Sequence, residues 1–384
     1  MKHIYYALFV CLVFACKSDD SNFEDLQKLA KEKPIEISVP TSFNIEEETI
    51  PTAIFDTTYN DYIEHLDPKA SIEIVFNGND ATVSGTTSYT KDGAHVVVTT
   101  SRRTEILVSG NSDNASLKIL PSVPLNKDLQ FRCAVILNNA NLSNPQGAVI
   151  NSQLKKRLLV HSNDGTKNVL SSKAPQTDEA VPDPAVYGKG CIFSEDNIIF
   201  SGKGSLQIKS SFRNCVAADD KVVIRPNTFI TLYPSAGNGI KANDGVFVKG
   251  GQTTIFSTAT TELHKVPVSD LYPQGIDTVN CAGVKTDYSV FVNSGLLQIK
   301  CEGNSTKGIK ADLDYVQDGG DVRIVTLGQK VESSPKAIKT NRNVNITAGK
   351  FYGYSKTSQA IEADGTYNIS SSKQDKGYLL KVGY

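Results

Sequence analysis

The chain has 384 residues, 39% of them hydrophobic, and a formal net charge of −1. That length allows one large or two medium domains with a substantial core, and a near-neutral chain without a basic run argues against nucleic acid as a partner. Twenty-eight glycines, 15 Tyr and 15 Phe but no Trp, amid frequent Ser, Thr, Asn and Asp, describe a turn-rich β protein.

Residues 1–15 read as a signal peptide. Lys2 and His3 precede an apolar run at 4–14 that falls short of the roughly 20 residues needed to span a bilayer. Val13-Phe14-Ala15-Cys16 resembles a bacterial lipobox, which implies cleavage before Cys16 and lipidation there. Lys17-Ser18-Asp19-Asp20 resembles an acidic signal for display on the outer face of the cell. The expectation is an outer membrane lipoprotein at the cell surface, held to the outer membrane through its lipid.

Residues 16–65 are polar, with one helix-like stretch at 23–33, and read as a lipidated tether. Residues 66–170 read as irregular first β coils, with strand candidates at 72–76, 95–98, 105–108 and 134–137. A polar, proline-bearing loop follows at 171–184. Five cysteines remain after Cys16: Cys133, Cys191, Cys215, Cys281 and Cys301. None forms a CxxC or lies at zinc spacing from a histidine.

From 171 to 384 the chain repeats itself. Apolar anchors fall at Ile192, Val216, Ile240, Val284, Ile309, Ile338 and Ile361, separated by 24, 24, 44, 25, 29 and 23 residues. An insert at 258–280 accounts for the 44, and a shorter one around Ser333-Ser334-Pro335 for the 29. Positions six and eight after each anchor are again mostly apolar, as in Val246 and Val248. A glycine turn follows, as at Gly250-Gly251, and then a third apolar stretch. Even offsets share one face of a strand. Three short strands per coil of about 24 residues predict an all-β right-handed parallel β-helix, whose coils bury their apolar faces only by stacking.

The motifs Gly239-Ile240-Lys241-Ala242-Asn243-Asp244-Gly245-Val246 with Gly250-Gly251, and Gly308-Ile309-Lys310-Ala311-Asp312 with Gly319-Gly320, resemble the bacterial carbohydrate-binding β-helix family. Asn77-Gly78-Asn79-Asp80-Ala81-Thr82-Val83 resembles that family's N-terminal start. The resemblance covers roughly 71–370, with Gln317 and Pro226-Asn227 departing from the pattern. It implies a secreted protein of pectate-lyase-like fold that binds cellulose and acidic sugars with calcium.

Repeats set equivalent residues one above another. One past the anchor stand Phe193, Ala217, Lys241, Lys285, Lys310, Lys339 and Glu362. Three past it stand Glu195, Asp219, Asn243, Asp287, Asp312, Asn341 and Asp364. Alternation turns both rows to solvent. Lys241, Lys285, Lys310 and Lys339, beside Asn243, Asp287, Asp312 and Asn341, are therefore the expected strip for a polysaccharide. The ammoniums would pair with uronate carboxylates, and the Asp and Asn side chains would take hydroxyls. Asp219, Asp287 and Asp312 are the candidate Ca²⁺ ligands, although calcium wants six to eight oxygens. The competing reading is a solvated sheet whose charges satisfy one another.

Cys191 and Cys215, one coil apart in register, could be a disulfide or a stacked thiol pair. Phe351, Tyr352 and Tyr354 either seal the end of the core or stack on sugars. A non-catalytic binder is the leading expectation. The alternatives are a polysaccharide lyase acting on uronate-containing glycans and an adhesin for a protein partner. A lyase needs a base and cationic charge at the enolate, yet no Arg enters the Lys row. Asp219 with Asp220, or Asp312 with Asp314, are the only carboxylate pairs there for a hydrolase.

Overall fold

A computed structural model describes residues 34–42, 45–122, 132–177, 182–265, 276–369 and the strand Leu379–Leu380. Cys16, the signal peptide and the start of the expected tether lie outside these residues. Nearly all the regular structure is strand: one sheet of 18 strands, one of 11, and a two-stranded hairpin.

The anchors pair rung by rung in the 11-stranded sheet. Ile192 aligns with Ile150 and Val216, and the ladder continues through Ile240, Val284, Ile309, Ile338 and Ile361, always in parallel. Every anchor is buried, as are Val246, Val248, Val290 and Val292. Together with the apolar positions of the third strands they form one continuous core running from Ile72 to Ile361.

The expected right-handed parallel β-helix, an open solenoid of three separate short strands per coil, is corrected by this topology. The second and third strands of each repeat belong to a single 18-stranded sheet, and that sheet and the 11-stranded one close around the common core. The glycines had been read as strand-ending turns. Instead, Tyr315–Thr326 and Val344–Ser355 run as single strands through Gly319-Gly320 and Gly349, and Cys133–Asn144 bends without breaking at Asn139. Hydrogen bonding therefore passes round the corner. Elsewhere the corner needs a left-handed residue: at Gly251, φ is +71°, and an added Cβ would sit 2.5 Å from the Thr228 carbonyl oxygen.

The N-terminal strands, expected to be irregular, pair as regularly as the rest. Ala70–Asn77 aligns in parallel with Thr104–Ser112, and that strand with Cys133–Asn144. Two antiparallel hairpins interrupt the parallel order, Ala70–Asn77 with Asp80–Gly85 and Ser88–Asp92 with His95–Thr100, and the pairing of Thr104–Ser112 with Cys133–Asn144 shifts register between Ser109 and Gly110. Gln317, which broke the repeat pattern, is fully buried. Its amide oxygen accepts from the buried Tyr315 hydroxyl at 2.9 Å, and its nitrogen donates to the Gly319 and Lys350 carbonyls. A phenol inside the core requires such a partner.

Residues 34–42 and 45–65, expected to belong to a tether, run as a strap along the outside of the 18-stranded sheet, with Ile54 and Phe55 exposed. The Ile35 amide donates to the Tyr352 hydroxyl, and Ile37 is buried with Val325 and Tyr352. Gln298 and Gln252 donate to the Ser38 and Ser42 carbonyls. Glu46 meets Asn227, Gly251 and Ser294. Further along, Leu66 and Ile63 cover Ala134, Leu159, Ile199 and Val223. Phe351 joins the core and Tyr352 serves the strap, so these aromatics are structural.

All five described cysteines are buried. Desolvation pushes the Cys191 thiol up to about 12. Such thiols are inert core residues.

Candidate functional site

The four expected lysines stand in one row. Lys241 pairs with Lys285, Lys285 with Lys310, and Lys310 with Lys339 on consecutive parallel strands. Neighbouring strands lie about 4.8 Å apart, so the half-buried stems pack side by side and bring the ammoniums together, with the Lys241 nitrogen itself buried. Below Lys241 the row is closed off. Phe193 and Ala217 are buried rather than exposed as expected. The helical turn Pro184–Tyr187 is held there by Asn151, and the Lys189 ammonium sits 5.1 Å from the Phe193 ring centre. The open strip therefore begins at Lys241.

Its two ends are neutralised and its middle is not. Lys241 Nζ lies 2.5 Å from Asp287 Oδ1, and Lys339 Nζ lies 2.7 Å from Glu362 Oε1. Lys285 and Lys310 make no ion pair among the described residues. Burial, then Lys310 and Lys241, hold Lys285 below the ordinary lysine range. Beside the strip, buried Lys307 is pushed down to about 8 by desolvation and then by Lys339 and Lys310; it donates to the Ser305 carbonyl and to Ser333. Lys336 and Lys339 share Glu362, and although burial opposes it their hydrogen bonds hold that carboxyl at about 2.

The expected calcium ligands are not assembled. Both Asp219 oxygens accept from Lys189 at 2.6 Å, and Asp287 is taken by Lys241. Asp312 lies 3.5 Å from the Asn341 amide, and Asn243 intervenes between the levels of Asp219 and Asp287. Among the described residues no three His, Cys, Asp or Glu side chains are grouped to hold a metal. Two of the three expected calcium ligands, Asp219 and Asp287, are thus paired with ammoniums, while Asp312 is not.

An aromatic corner adjoins the strip on the same two levels, and sequence reasoning missed it. Phe247 and Phe291 project outward from paired strands, with ring centres 4.9 Å apart and planes within 10°. With Lys221, Asp244 and Tyr288 they line a shallow cavity of about 480 Å³. Tyr288 is 46% exposed, and the Lys221 ammonium lies 5.8 Å from the Phe247 ring centre. The signal in the sequence was the Val-Phe-Val triplet recurring at 246–248 and 290–292. Phe247 also packs against the outer apolar cluster of Leu66, Ala134, Leu159, Ile199 and Val223, and Phe291 extends that column by one level.

A strip of ammoniums beside exposed aromatic faces and a carboxylate suits a sugar polymer: apolar ring faces stack, while charged and hydroxyl groups pair. Residues 92–375 match the family model of the carbohydrate-binding domain-containing protein. The chain belongs to that family. The match spans the whole Lys row and the aromatic corner. No curated protein matches the chain. Among solved structures, a polysaccharide lyase-like protein from C. thermocellum, solved as a gadolinium derivative, is similar with a TM-score of 0.51 and 18% identity. The similarity covers 79% of this chain and 98% of that one. At that identity the likeness concerns the fold alone.

Proposed function

We propose that this family member is a non-catalytic binder of acidic polysaccharide, displayed on the outer membrane through a lipid on Cys16. The observation that carries the binding reading is the pair of uncompensated ammoniums, Lys285 and Lys310, at the centre of a stacked row whose flanks are already paired. A polymer of uronates would supply the missing anions along that row, with ring faces available to Phe291 and Tyr288. The Lys row and aromatic corner bind. Asp314, one partner of the hydrolase pairs considered, is bound to Asn343.

Each exposed ion pair contributes at most about 1 kcal/mol, so a single Lys→Ala change should alter affinity little. The quadruple change at Lys241, Lys285, Lys310 and Lys339 should abolish most binding, because a polymer engages all sites together. A glycan array with parent and quadruple variant tests this, with unsaturated-uronate absorbance followed in the same wells. Unchanged binding by the variant rejects the strip, and rising absorbance with the parent rejects a non-catalytic role.

A further inference from the structure

Away from the Lys row, a groove of about 550 Å³ crosses the outer face of the 18-stranded sheet. Its floor is a second ladder. Ser171 aligns with Lys209, Lys209 with Tyr233, and the Tyr233 ring stacks on Phe256, with centres 5.5 Å apart and planes within 18°. Gln207, Lys173 and the hydroxyl residues Ser172, Ser210, Ser211, Ser235 and Thr258 line the rest of the groove.

These groups differ from the rest of that face. Nearby charges are satisfied locally: Lys300 pairs with Glu302 at 2.6 Å and Arg323 with Asp321 at 2.6 Å. The neighbouring Gln252 and Gln298 side chains are occupied by the strap. In the groove, by contrast, the ammoniums of Lys173 and Lys209, the Tyr233 hydroxyl and the Gln207 amide have no partner among the described residues. No carboxylate lines it among the described residues. Two unmatched cations, a phenol and an amide around a partly exposed aromatic pair form a surface lacking an anion and a ring.

We infer that the Tyr233–Phe256 groove is a second binding site, taking a pyranose unit that carries an acidic group. The sugar face lies against the aromatic pair, its carboxylate is held by Lys173 and Lys209, and its hydroxyls meet Tyr233 and Gln207. This rests on the reading that the chain binds acidic polysaccharide, and it adds a second grip on a different sheet from the Lys row. One chain then holds two polysaccharide segments, and linking the two events raises avidity beyond either alone.

Calorimetry with a soluble uronic-acid hexasaccharide tests this on the full lipid-free chain. The parent should bind two molecules per chain. Lys173→Ala with Lys209→Ala, both exposed and therefore harmless to folding, should leave one; Tyr233→Ala should weaken the same site at least tenfold. The quadruple Lys-row variant should also leave one, and the combined variant none. A single bound molecule that only the Lys-row change removes overturns the second site and leaves the first standing. A single molecule that only the groove changes remove keeps the groove and rejects the Lys row. Equal binding of a neutral glucose hexasaccharide in the groove overturns its acidic preference.

Discussion

Arg225 and Glu48, 177 residues apart, are joined by two hydrogen bonds, Nε to Oε1 at 2.8 Å and Nη2 to Oε2 at 2.9 Å. The guanidinium is 3% exposed, also reaches both Glu64 oxygens, and lies 4.1 Å from the Tyr62 ring centre. Everything it touches here belongs to the strap, so this side chain fastens the segment from Glu48 to Glu64 to the sheet. Arg225→Ala should destabilise the fold by about 3 kcal/mol, the scale of a broken buried ion pair. Denaturant titration measures the loss, and hydrogen exchange should show it concentrated at 45–66. Unchanged exchange there would mean that apolar packing alone holds the strap.

Val246→Asp places a charge in a position with no exposure, inside the common core and between Val222 and Val290 on the adjacent strands. An unpaired carboxylate there should unfold the protein or lower its stability by more than about 4 kcal/mol. Lys241→Gln, on the outward face of the preceding strand, should cost far less. Circular dichroism melts of the two variants side by side decide whether the assigned faces are right.

Glu362 carries an acid-dependent contribution to stability. Its folded pKa, about 2, lies below the ordinary glutamate value of 4.5, so the stabilisation is present above about pH 4.5 and is lost as pH falls toward 2. Glu362→Gln should therefore be less stable than the parent at pH 7 and approach it near pH 2. A constant difference between the two across that range would show that Lys336 and Lys339 do not hold the carboxylate charged.

Phe291→Ala should weaken binding of acidic oligosaccharide several-fold with little loss of stability, since its ring lies outside the core against only Phe247 and Tyr288. Aromatic contacts of this kind contribute roughly 0.5–1.5 kcal/mol beyond area. Titration calorimetry gives the affinity, and a thermal melt the stability. Loss of stability without loss of affinity would make the corner a packing feature.

Cys16→Ala should yield a precursor that takes up no labelled fatty acid, because the thioether has no other sulfur at the cleavage site. Incorporation of label into the variant would reject the lipoprotein reading and the surface localisation built on it.

The sequence by itself determined which residues face inward and which share a row. Alternation is local, so Ile240, Val246 and Val248 were legible as core, and the equal spacing of the repeats brought Lys241, Lys285, Lys310 and Lys339 into register before any coordinates. Three things were decided only in the tertiary structure. The sheet closed through Gly319-Gly320 and Gly349 because a backbone hydrogen bond depends on the strand stacked beside it, which no single repeat specifies. The strap docked because the partners of Glu46, Glu48 and Glu64 lie some 160 to 250 residues away in the chain. Asp219 and Asp287 became ion-pair partners instead of calcium ligands because a carboxylate's role is set by whichever cation the fold brings within reach, here Lys189 and Lys241.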